Sequence, residues 1–138
     1  FENPPMDVPR NMLSALDLVS VQVQARFGGQ RIRRNKTLIE ILDIDPRTNE
    51  LITNEVFKWN AATDEIRFSG KSYILEDVME VKGWSDARMK EELKRRQEIL
   101  EWMRLKKIRH FQEVGKVLLS YYRDPETVME LVRSDLYE

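Results

Sequence analysis

Gly70-Lys71-Ser72 is the part of this chain that most resembles catalytic machinery. It matches the end of the phosphate-binding pattern Gly-x-x-x-x-Gly-Lys-Ser/Thr, in which successive backbone N–H groups wrap a phosphate and the lysine reaches it. The first glycine of that pattern would fall at position 65, where the chain has Glu65. A carboxylate there repels a phosphate. The preceding residues, Asp64-Glu65-Ile66-Arg67-Phe68, alternate like a strand and leave no room for a wide loop. The tripeptide is therefore expected to be a decoy.

A second group could hold an anion. Arg26, Arg31, Arg33 and Arg34 flank the Gly28-Gly29 turn, four guanidiniums within nine residues. Each offers a planar fork of donors suited to phosphate or carboxylate. They are the candidate phosphate or subunit contacts. The competing reading is a solvated hairpin end whose stems lie over apolar surface.

Other chemistry is sparse. His110, the one histidine, sits in a polar link with no second ligand at metal-binding spacing. The carboxylates interleave with lysine and arginine, as surface ion pairs do. The absence of cysteine excludes disulfides, thiolate nucleophiles and zinc–cysteine sites, and suits a reducing compartment. The reading therefore assigns no catalytic, cofactor-binding or metal-binding residue to the chain. With 23 basic and 24 acidic residues, the net charge of −1 argues against nucleic acid as a partner. The mixed charge of residues 90–109 reads as a solvated bundle face.

The elements that position these groups divide near residue 70. Before it, apolar residues mostly alternate; after it, they recur at helical spacing. Residues 1–8 read as extended loop, followed by a short helix over 10–16. Strands are expected over 18–27, 31–44, 52–59 and 65–68, with Gly28-Gly29 and Asp45-Pro46-Arg47-Thr48-Asn49 as turns. Helices follow over 73–82, closed by Gly83; 86–108, capped by Ser85; 111–122; and from Pro125 to about Arg133. In the longest helix, Met89, Leu93, Leu100 and Met103 form the expected core stripe, widened by Ile99 and Trp102. Glu91 with Arg95, and Glu92 with Arg96, are placed on its wet side. Trp59, Trp84 and Trp102 are expected in cores or seams, with Trp84 stapling the start of the long helix. The expected fold class is α+β, an antiparallel β-meander followed by a C-terminal helical bundle of about four helices.

The order of these segments resembles the C-terminal end of a secretion ATPase of the archaeal branch of the type II/type IV secretion superfamily, which powers pilus or archaellum assembly. The resemblance rests on VPRNMLSALDLVSVQVQ, the glycine hairpin, RIRRNKTLIEILDIDPRTNELITNEVFKWN, TDEIRFSGKS, ELKRRQEILEWM and YYRDPETV. It implies that residues 1–70 are the end of a RecA-like ATPase domain, with strands from the outer part of its sheet, and that 71–138 are an appended helical domain. It further implies a cytoplasmic parent protein, peripheral at the inner face of the membrane. That parent would be a homo-hexamer using ATP and Mg, touching neighbouring subunits and a membrane platform protein. The catalytic motifs of that family precede the residues present here, so none is carried over. The Phe1-Glu2-Asn3-Pro4-Pro5 opening is read as that of a fragment or processed product. The alternative is a stand-alone protein–protein interaction module. Strand 18–27, if it normally pairs with sheet strands absent here, leaves an open edge. Self-association through it, or shielding of it by residues 1–16, is expected.

Overall fold

In the computed structural model, residues 2–137 are described; Phe1 and Glu138, the outer limits of the two expected segments, lie outside them. The element order is α1 (Arg10–Leu13), β1 (Leu18–Phe27), β2 (Gln30–Ile44), β3 (Leu51–Asn60), β4 (Glu65–Phe68), α2 (Tyr73–Lys82), α3 (Asp86–Leu105), α4 (Phe111–Arg123) and α5 (Pro125–Tyr137). The fold is α+β, a four-stranded antiparallel sheet followed by helices, as the sequence predicts. Two compact units are present, with the division after Val78, inside α2.

The sheet is a meander in the order β1-β2-β3-β4. Gly28 and Gly29 both take positive φ, 55° and 79°, which the two-residue hairpin turn requires and side chains resist. Two departures from the predicted elements lie near the N-terminus. Residues 3–7 form a turn rather than extended chain, because Met6 and Asp7 N–H groups both donate to the Asn3 carbonyl. The helix at 10–16 is α-helical only to Leu13. Beyond it, Ala15 and Leu16 donate three residues back, to Met12 and Leu13, and the Ser14 hydroxyl donates to the Asn11 carbonyl.

Lys36 has no partner in the β1–β2 register, which jumps from Val21–Thr37 to Gln22–Asn35. This bulge reverses the facing of β2 relative to a regular strand. Val19, Val21, Val23 and Ala25 still share one side of β1.

The second unit has its core in α3, α4 and α5. Ile99, Met103, Tyr121, Met129 and Val132 are buried together, with Trp102, Ile108, Val114, Val117, Val128 and Leu136 packed around them. No described residue of α2 is buried, so the core is built by three helices rather than four. The expected stripe on α3 is corrected. Met89, Ile99 and Met103 are buried, while Leu93 and Leu100 are 43% and 61% exposed. Glu92 and Glu98 take the intervening inward positions, each 7% exposed. Glu92 is therefore not on the wet side. It accepts from Arg96 Nε at 2.9 Å and from the Tyr121 hydroxyl at 3.0 Å. Glu98 accepts from Arg133 Nε at 2.9 Å and the Tyr137 hydroxyl at 3.0 Å. Such partners offset the cost of burying a carboxylate.

Ser85 caps α3 as predicted, accepting from the Arg88 N–H at 3.2 Å. The helix ends at Leu105 rather than near 108. Lys107 takes a left-handed φ of 57°, its N–H donates to Arg104, and the Ile108 N–H reaches back to Met103. This is the Schellman closure that usually uses glycine. Gly83 closes α2 in the same way, with Trp84 donating to Met79.

Candidate functional site

The strand register sorts the four hairpin arginines. Arg26 and Arg31 are direct cross-strand partners, Gln24 opposes Arg33, and Gln22 opposes Asn35. Side chains alternate along a strand, so Gln22, Gln24, Arg26, Arg31, Arg33 and Asn35 share one face. Arg34, opposite Val23, belongs to the other. Like charges directly opposed on a sheet are unfavourable, and among the described residues no carboxylate is paired with Arg26, Arg31 or Arg33. Their face carries arginine and side-chain amides, with the Ser20 hydroxyl donating to Asn35 Oδ1 at 3.1 Å. Beside it, a shallow depression of about 250 Å³ is lined by Gln22, Arg33, Arg34 and Asn35.

Arg34 is committed elsewhere. Its Nε and Nη2 donate to the two carboxylate oxygens of Asp64, each at 2.7 Å, and its Nη1 donates to the Arg33 carbonyl. Trp59 Nε1 adds a third donor to Asp64 at 2.8 Å. The Arg34 guanidinium, and then the Trp59 indole, hold the Asp64 carboxyl below the usual aspartate range. The structure thus brings three of the four predicted arginines together and makes the fourth a clasp between β2 and the β3–β4 turn.

The Gly70-Lys71-Ser72 segment does open a helix, as a phosphate loop would, and the helix N-terminus does hold an anion. That anion is Glu40 of β2. Its carboxylate accepts from the Ser72 hydroxyl, from the backbone N–H groups of Tyr73 and Ile74 at 3.0 and 3.2 Å, and from Asn54 Nδ2 at 2.9 Å. Ser72 in turn caps α2 by accepting from the Leu75 N–H. Glu40 is fully buried. Burial pushes its carboxyl up, but the Asn54, Ser72, Tyr73 and Ile74 donors outweigh this and hold it below the ordinary glutamate value. The N–H groups that would cradle a phosphate are therefore already used. Lys71 points its ammonium at both oxygens of Glu76, at 2.8 and 3.0 Å, and lies 4.6 Å from the centre of the Tyr73 ring.

Glu40 and Asp64 were not singled out in the sequence. The available signal at Glu40 was one carboxylate inside Leu38-Ile39-Glu40-Ile41-Leu42. Its partners lie 14 residues away, at Asn54, and 32 to 34 residues away, at Ser72, Tyr73 and Ile74, beyond any local pattern. His110 precedes α4 with its ring 4.9 Å from that of Phe111 and makes no side-chain cap, in keeping with a linker histidine. Trp102 Nε1 donates to Asp135, while the Trp84 ring has the Lys82 ammonium 5.9 Å and the Arg88 guanidinium 5.1 Å from its centre.

No helix among the described residues is long and apolar enough to cross a membrane. Residues 62–137 match the family model described as PilB3-like, C-terminal. Two curated proteins of Methanocaldococcus jannaschii are similar to the chain. Uncharacterized protein MJ1287 is 35% identical over 117 residues, covering 85% of this chain and 43% of that protein. Uncharacterized protein MJ0781 is 27% identical over 131 residues, covering 95% of this chain and 18% of its own length. The chain thus spans less than half the length of either relative.

Proposed function

Because the chain belongs to the PilB3-like C-terminal family, we propose that it is the non-catalytic C-terminal portion of a secretion ATPase that powers type II secretion, type IV pilus or archaellum assembly. The family match over 62–137 carries this reading. In it, residues 1–70 complete a RecA-like domain and 71–138 form the appended helical domain. ATP and Mg act elsewhere in the parent protein. The parent works as a homo-hexamer, at the cytoplasmic face of the membrane, against a platform protein. Two local observations support a coupling role rather than a catalytic one. Glu40 fills the one helix N-terminus that follows a Gly-Lys-Ser sequence, and Lys71 is held by Glu76. The open face of Arg26, Arg31 and Arg33 is the part suited to an acidic surface of a neighbouring subunit or to a phosphate.

The 138-residue chain is expected to give no binding heat when titrated with ATP and Mg, and to release no phosphate from ATP. The parent polypeptide, carrying a Gly-x-x-x-x-Gly-Lys-Ser/Thr loop, is expected to do both. Tight ATP binding by the chain alone, or an encoding reading frame without such a loop, rejects the proposal. A stand-alone interaction module is the second reading, favoured by the outer side of α4, where Phe111, Leu119 and Tyr122 are 76%, 59% and 69% exposed. The reading frame separates the two.

A further inference from the structure

α4 is apolar on two sides. Val114, Val117 and Tyr121 turn into the core of the helical unit. Phe111, Gly115, Leu118 and Tyr122, at successive spacings of four, three and four residues, form a second seam along the helix, with Leu119 beside them. The four large side chains of this second side are exposed. α3 extends the same surface. The Arg96 guanidinium lies 5.6 Å from the centre of the Tyr122 ring. Leu93 and Leu100, three residues before Arg96 and four after it, share its side of α3 and are also exposed. The core of the helical unit closes among α3, α4 and α5 without any of these six apolar residues except through the backbone they share.

Gly115 gives this surface its shape. Glycine weakens a helix interior, and a Cβ added here would meet nothing within 4 Å, so the packing within the chain does not call for it. Its missing side chain leaves a gap in the seam between Phe111 and Leu118, where the ridge of another helix can come close. The border of the seam carries charge of one sign. Lys116 and Arg123 lie three residues before and four after Leu119, and Arg109 stands just ahead of Phe111. Among the described residues, none of the three is paired with a carboxylate. From this we propose that the α3–α4 face docks an amphipathic helix of another protein, with an aliphatic ridge set over Gly115 and Asp or Glu along the side that meets Lys116 and Arg123. Charge disfavours α4 of a second copy as the occupant. In an antiparallel helix pair like sides meet, so Lys116 and Arg123 of one copy would border those of the other. A bilayer surface would leave the gap at Gly115 unfilled, whereas a helix ridge fills it. The inference holds whether the chain serves a motor or stands alone, so its failure leaves the proposed function untouched.

Two synthetic peptides test it. Each is an amphipathic helix of about four turns with the same leucine stripe, one flanked by glutamates and the other by lysines. By fluorescence anisotropy, the glutamate peptide is expected to bind the chain, less tightly as salt rises, and the lysine peptide about tenfold more weakly. Gly115→Leu fills the gap with a better helix former. It is expected to keep or raise the thermal midpoint while weakening glutamate-peptide binding about tenfold. Lys116→Glu combined with Arg123→Glu should invert the preference between the peptides. Failure of the glutamate peptide to bind, equal binding of both peptides, or undiminished binding by Gly115→Leu overturns the proposal. So does light scattering in which the unmodified chain dimerises and Gly115→Leu does not, which makes a second copy the occupant. Sedimentation of the chain with phosphatidylglycerol vesicles that the glutamate peptide cannot displace makes the occupant a lipid surface and overturns it as well. In a parent polypeptide otherwise free of cysteine, Leu119→Cys should react with maleimide as readily as Glu130→Cys, an exposed position on α5. Protection at Leu119 alone shows that the parent's own residues fill the face, and rejects an outside partner.

Discussion

Replacing Glu40 by alanine is expected to lower the stability of the sheet unit by about 2–4 kcal/mol, measured by hydrogen exchange of the β2 and β3 amides. The variant strips the acceptor from Asn54 Nδ2, the Ser72 hydroxyl and the Tyr73 and Ile74 N–H groups together. Each buried donor left without a partner costs about 1–3 kcal/mol. The sum is less than four such terms, because Tyr73 is partly exposed and water can reach some of the donors. Loss of a negative charge from the α2 N-terminus adds to the effect. Glu40→Gln should fall between, since it keeps one acceptor oxygen but turns an amide against donors.

The pH dependence has a definite sign. Donors hold the folded carboxyl below the ordinary glutamate value, so the folded state binds its proton less readily than the unfolded chain does. Its contribution is fully present above the ordinary glutamate range. It is lost as pH falls through that range toward the depressed folded value. The difference between the parent chain and Glu40→Ala should therefore shrink on acidification. Exchange rates in β2 and β3 that Glu40→Ala leaves unchanged at neutral pH would remove Glu40 from this role.

The contrast between Glu40 and the strands around it marks what local pattern reports. Alternation and turn chemistry place all four strands within a residue, because Gly28-Gly29 and the Asp45–Asn49 segment act through their own backbones. The same reasoning rejects Gly70-Lys71-Ser72 as a phosphate loop, from Glu65 in place of the first glycine and from the strand-like alternation of 64–68. It does not reveal that a carboxylate 30 residues upstream takes the place of the phosphate, since β2 meets α2 only through the folded sheet. Arg34 is a similar case. Its spacing groups it with Arg26, Arg31 and Arg33, but alternation along β2 sets it on the face opposite Arg31 and Arg33, where the turn residue Asp64 takes it. The helix ends follow the same logic. Gly83 announces its closure, whereas Lys107 takes the same left-handed conformation without any compositional sign, and the Ile108 contact with the core helps hold it there.

The long helix provides the sharpest comparison, because two adjacent residues of equal composition should behave oppositely. Ile99→Ala is expected to destabilise the helical unit by about 2–5 kcal/mol, the range for removing an aliphatic side chain from a packed core. Ile99 is 2% exposed and packs with Met103, Tyr121, Met129 and Val132. Leu100→Ala should change stability by no more than about 0.5 kcal/mol, as an exposed surface position does, since Leu100 is 61% exposed. Counting apolar residues alone selects Leu93 and Leu100 as the seam, with Glu92 outside it. The inward row is instead Met89, Glu92, Ile99 and Met103, at spacings a helix permits, with Glu92 admitted because the Tyr121 hydroxyl and Arg96 satisfy it. Urea denaturation of both variants, followed by exchange of α3 and α5 amides, decides between the two rows. Equal losses from the two substitutions, or a larger loss from Leu100→Ala, would restore the purely apolar stripe and displace the buried carboxylates from the helix interface.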